Sequence, residues 1–103
     1  MIPPLTVVAF RLGSNEYFFI NATENQTSYT IENLLEGSYQ IVAYTNDRLL
    51  AGGYSQAVLC GLSVDCNDHS LIHVQVIAGQ ETTGVDPGDW YAPEGSFPAS
   101  PIP

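Results

Sequence analysis

Apolar and polar residues alternate with a period of two along most of the chain, the mark of strands that bury one face. Residues 5–12 are rich in β-branched and large apolar side chains and stop at Gly13-Ser14-Asn15, which predicts a strand and a turn. Residues 16–20 read as the return strand of a hairpin, and 21–26 are polar and read as a loop. A third strand is predicted over 27–31, with Tyr29 and Ile31 facing inward. Residues 33–38 form a short connection in which Leu34 tucks against the core and Gly37 makes the turn. The clearest alternation runs over 39–45, with Tyr39, Ile41 and Ala43 on one face and Gln40, Val42 and Tyr44 on the other. Asn46-Asp47 then turns the chain into a weaker strand through Leu49, Leu50 and Ala51 that ends at Gly52-Gly53. Residues 70–78 alternate Ile72, Val74 and Val76 against His73 and Gln75, and 82–85 read as a last strand.

No stretch keeps the spacing of an amphipathic helix for three turns, so helix content should be minimal. Short strands at regular spacing, joined by turn residues, predict an all-β fold: an antiparallel Greek-key β-sandwich of about seven strands. From Asp86 the character changes, with Pro87, Pro93, Pro98, Pro101 and Pro103 close together. Proline at that density disfavours sheet pairing. The expected division is a β-sandwich domain over 1–91, with Trp90 and Tyr91 packed on it, and a flexible Pro-rich tail over 92–103.

Composition narrows the setting. Charged residues are only 13%, well below the roughly 25% typical of soluble domains, and uncharged polar residues take their place, as is common in secreted proteins. Eleven acidic residues face two basic ones, Arg11 and Arg48, with no lysine, for a net charge of −9. Such a surface repels phosphate backbones, so nucleic acid is excluded as a partner. No apolar run is long enough for a membrane-spanning helix. Met1-Ile2-Pro3-Pro4 does not read as a signal peptide, so an export signal is expected elsewhere in a longer parent chain.

Cys60 and Cys66 are the only cysteines. A disulfide is the favoured reading; a zinc site completed by His69 and His73 is the alternative. A disulfide persists only in an oxidising compartment, which predicts an extracytoplasmic location, secreted or at the cell surface.

The segment 31–44, Ile31-Glu32-Asn33-Leu34-Leu35-Glu36-Gly37-Ser38-Tyr39-Gln40-Ile41-Val42-Ala43-Tyr44, resembles the carboxypeptidase regulatory-like and Cna-B-like domains of the prealbumin-like (transthyretin-like) superfamily. A following Gly52-Gly53-Tyr54 is similar to those domains as well, and the likeness spans most of residues 5–91. It implies an accessory β-sandwich of an exported bacterial protein, acting as a spacer, a stability module or a binding surface. Two departures matter. Some Cna-B-like domains form a Lys–Asn isopeptide bond, which a chain without lysine cannot make. Such domains also begin with a strand before the one at Leu5, and no counterpart is visible, which leaves either a missing strand or an open edge that could pair with another copy.

Chemical candidates are few. Asp68, His69 and Ser70 have the residue types of a hydrolytic triad, but neighbours on an extended strand point to opposite faces. Cys60 with His69 or His73 could form a nucleophilic pair, though Cys66 offers a simpler fate. Asp65 and Asp68, and Asp86 and Asp89, are the candidate calcium ligands, against ordinary turn chemistry as the alternative. Tyr44, Tyr54, Trp90 and Tyr91 could stack on sugar rings. Asn21 and Asn25 head triplets of the glycan-acceptor pattern, which the bacterial resemblance argues against. The reading is therefore a non-catalytic structural or protein-interaction module without a cofactor. Its expected partners are other domains of the parent protein, a surface partner, or a second copy. A carbohydrate- or calcium-binding module is the alternative.

Overall fold

The computed structural model describes residues 4–23, 31, 35–46, 50–63, 65–77, 85–93 and 95–101. Within them lie β1 (Leu5–Arg11), β2 (Tyr17–Ala22), β3 (Gly37–Thr45), β4 (Ala51–Gly53), α1 (Gln56–Cys60) and β5 (Val74–Val76). The architecture is mostly antiparallel β-sheet with one short helix. The first hairpin forms where the pattern placed it. Gly13 takes a left-handed φ of 80°, which a side chain would resist, and the Arg11 N–H donates to the Glu16 carbonyl across the turn.

The sheet runs β2-β1-β3-β4, and β5 also pairs with β3. β4 lies against residues 42–44 of β3 and β5 against residues 37–39, so both share one edge of the longest strand. Directly opposed residues point to the same face, and the register therefore sorts the core into two layers. Val7, Ala9, Tyr39, Ile41, Ala43 and Val74 are buried on the first face, with Phe18, Ile20, Ile31, Tyr54 and Val85 packed against them. Val8, Val42 and Tyr44 are buried on the second, under Phe10, Ala51, Leu71 and Phe97. The facing assigned to 39–45 by its alternation is the facing observed.

Three details differ from expectation. Gly37 opens β3, paired with Val76, rather than making a turn. The strand expected over 70–78 is regular only at Val74–Val76, with an isolated bridge between Ser55 and Leu71 before it. The strand expected through Leu49, Leu50 and Ala51 does end at Gly52-Gly53, but its regular part begins only at Ala51, after Leu50. Most of the strands expected over 27–31 and 82–85, and Leu34, Leu49 and Asn25, lie outside the described residues.

The C-terminal segment packs on both faces: Trp90 lies over Gly52, which opposes Ala43 of the first layer, and Phe97 sits in the second. Asp89 and Gly53 exchange backbone hydrogen bonds of 3.1 Å each, which adds one bridge beyond β4. Farther on, Phe97 packs into the second core layer and the buried Tyr44 hydroxyl donates to the Pro98 carbonyl at 2.6 Å. Packing against the sheet thus continues beyond Tyr91 to Phe97 and Pro98. The paired glycines make room for it. A methyl group on Gly52 would sit 2.4 Å from the Trp90 ring, and one on Gly53 2.7 to 2.9 Å from Leu71 and Phe97. No real contact is that short, so Gly52 is glycine because the Trp90 ring and the Pro87 carbonyl press on it, and Gly53 because Leu71 and Phe97 do.

Candidate functional site

Three polar side chains meet at the second face, next to β4. Alternation along Gly53-Tyr54-Ser55 sends Tyr54 into the first layer and Ser55 toward the second, where it is fully buried. Asp89, brought alongside by its bridge to Gly53, is fully buried too. The Ser55 hydroxyl donates to Asp89 Oδ2 at 2.6 Å, and His69 Nδ1 lies 2.6 Å from the same oxygen. The Tyr91 backbone N–H donates to Asp89 Oδ1 at 3.1 Å. An ionised carboxylate can only accept, so the hydrogen of this imidazole belongs on Nδ1. Burial pushes the Asp89 carboxyl up, but the bonds from Ser55, His69 and the Tyr91 N–H, with the electrostatic attraction of His69, outweigh it and hold the group below the ordinary carboxylate range.

The elements around this cluster are short and locally specified. Ser55 stands at the N-cap of α1 and would ordinarily bond a backbone N–H of the first turn. It makes no such bond here, because its hydroxyl is engaged by Asp89. Gly61 closes the helix in the left-handed conformation, and the N–H groups of Gly61 and Leu62 return to the carbonyls of Val58 and Ala57. Cys60, the last helical residue, is disulfide-bonded to Cys66, and the loop so closed leads to His69.

The sequence candidates fall out differently. Because Cys60 and Cys66 are bonded to each other, neither is a free thiolate for zinc or for nucleophilic attack, and His73 is exposed. Asp68, His69 and Ser70 do not form a relay. The Ser70 hydroxyl and N–H both donate to Asp68, holding that carboxyl low, while His69 turns to Asp89. Among the described residues no three His, Cys, Asp or Glu side chains gather as metal ligands: Asp65 is exposed, Asp68 serves its own turn, the Asp86 carboxylate lies over Gly88, and Asp89 is engaged. Of the proposed aromatic platform, Tyr44 is buried and Tyr54 packs in the first layer. Trp90 leans on Gly52, and Tyr91 alone is largely open, at 71% exposure. Asn21 is exposed, and its side chain accepts a hydrogen bond from Thr6. No helix among the described residues is long and apolar enough to cross a membrane.

No protein-family model, curated protein or solved structure matches the chain. Function therefore rests on the chemistry of the cluster itself. In a hydrolytic relay the histidine stands between serine and acid, taking the serine proton on one nitrogen and bonding the acid with the other. Here the acid stands in the middle, and serine and histidine share one of its oxygens. The arrangement ties three distant stretches of chain together: the start of α1, the exit of the disulfide loop and the C-terminal segment. Sequence reasoning named Asp89 and His69 for other roles and missed Ser55.

Proposed function

We propose that the chain is a non-catalytic accessory β-sandwich module of an extracytoplasmic, bacterial protein, with a structural or protein-interaction role. The observation that carries this reading is the order of the buried cluster, with Asp89 between Ser55 and His69. A fully buried serine hydroxyl held by a carboxylate is a tie, not a nucleophile. The disulfide supports the compartment, since such bonds persist outside the reducing cytoplasm. The prealbumin-like Greek-key sandwich of about seven strands remains the proposed completion of the fold. It is supported by apolar packing on both faces of the sheet, including Ile31 and Val85 on the first.

The test compares stability with turnover. The full chain and its His69→Asn and Ser55→Ala variants would be melted and assayed on ester, peptide and glycoside substrates. The reading expects no turnover and lower melting temperatures in both variants. Turnover by the unaltered chain that disappears in His69→Asn at an unchanged melting temperature would overturn it.

A further inference from the structure

The buried cluster sits where the C-terminal segment joins the sheet. The backbone pair between Asp89 and Gly53 holds the segment at the same point, and the bond from Tyr44 to the Pro98 carbonyl holds it farther on. Between them the chain turns at Pro93, where the Ser96 N–H and hydroxyl both donate to the Pro93 carbonyl. We propose that Asp89 is an acid-released latch: ionised, it holds the C-terminal segment against the sheet, and protonated, it lets that segment go.

The geometry favours the ionised form. Oδ2 receives two donors and Oδ1 a third, so three of the four lone pairs of the carboxylate are engaged, and a proton on Oδ2 would displace a donor already directed there. No solvent reaches the fully buried carboxyl to accept the extra hydrogen. Among the described residues, His69 is the charged or titratable side chain that faces Asp89 from another element. Asp68 acts on His69, and Asp86, on the same segment, lies over Gly88. The sign follows from the lowered pKa. A carboxyl depressed in the folded state contributes stability above its unfolded value, near 4, and loses it as pH falls through the folded value. Release therefore belongs to the acid side, below about pH 4.

Trp90, the only tryptophan, sits beside the latch against Gly52 and reports on it. The experiment acidifies the full chain while following Trp90 fluorescence, pepsin cleavage within residues 92–101, and far-UV circular dichroism of the sheet. The expected result is a reversible red shift and new cleavage at a pH where the sheet signal is still intact. Asp89→Asn should show the released fluorescence already at pH 7, with no further acid step. Ser55→Ala removes one donor but keeps the charge, and should move the midpoint upward by about one pH unit. Because Asp89→Asn could fail to fold, the Ser55→Ala midpoint stands as an independent test. An acid step that persists in folded Asp89→Asn, a Ser55→Ala midpoint equal to that of the unaltered chain, or loss of the sheet at the same pH as the tail would each overturn the latch.

Discussion

At the scale of single residues, the chain is governed by a few positions whose neighbours leave no alternative. Ser55 donates to a fully buried carboxylate, and bonds to charged groups rank among the stronger ones in proteins. Ser55→Ala is expected to lower the unfolding free energy by about 2 kcal/mol, measured by urea titration at neutral pH. Gly52 is constrained from the other side. A Cβ there would meet the Trp90 ring at 2.4 Å and the Pro87 carbonyl at 2.7 Å, and the backbone oxygen cannot move away as a side-chain tip could. Gly52→Ala should cost about 1–3 kcal/mol through overpacking, and Trp90 fluorescence should shift as the ring is displaced. By contrast the Arg11–Glu16 pair, 2.9 Å apart but exposed on a hairpin turn, should contribute almost nothing when it is broken by Glu16→Gln, which leaves the bond from Arg11 to the Glu36 carbonyl in place.

At the scale of elements, legibility followed the range of the interactions. The facing of β3 could be read because alternation is local: Tyr39, Ile41 and Ala43 go one way and Val42 and Tyr44 the other whatever the rest of the chain does. Helix α1 left no periodic trace, since five residues make little more than one turn, and its only cues were Ser55 before it and Gly61 after it. The cluster was illegible for a different reason. Asp89 lies 34 residues from Ser55 and 20 from His69, and no local pattern encodes a meeting across that distance. The Cys60–Cys66 bond was readable from its short spacing, and it constrains the loop that delivers His69. Reducing it should cost about 2 kcal/mol on the chain-entropy account. A melting temperature about 10 °C lower in the presence of reductant would show this. Composition describes the Pro-rich segment only in part: proline does exclude it from regular pairing, but Phe97 still finds an apolar seat. Phe97→Ala should cost about 2 kcal/mol, less than a fully buried phenylalanine because the ring is only partly covered. Tyr44→Phe should cost about 1 kcal/mol through the lost bond to Pro98.

At the scale of the whole molecule, charge matters most. A net charge of −9 on 103 residues, with two arginines and no lysine, makes the compact state repel itself. Mobile ions screen that repulsion over about 10 Å at 0.1 M salt and about 3 Å at 1 M. Raising sodium chloride from 20 mM to 0.5 M at pH 7 should therefore stabilise the chain by about 1 kcal/mol, read as a melting temperature about 5 °C higher. Sulfate would confuse the measurement, because it strengthens apolar burial as well. The buried cluster should respond differently. Asp89 is sealed from solvent, so ions cannot enter between it and the Ser55 hydroxyl, and the bond is not screened. The loss caused by Ser55→Ala should thus be the same at both salt concentrations, while the unaltered chain and the variant gain stability in parallel. A loss that shrinks with salt would mean that water and ions reach the carboxylate, and that its bonds to Ser55 and His69 form at the surface rather than inside the fold.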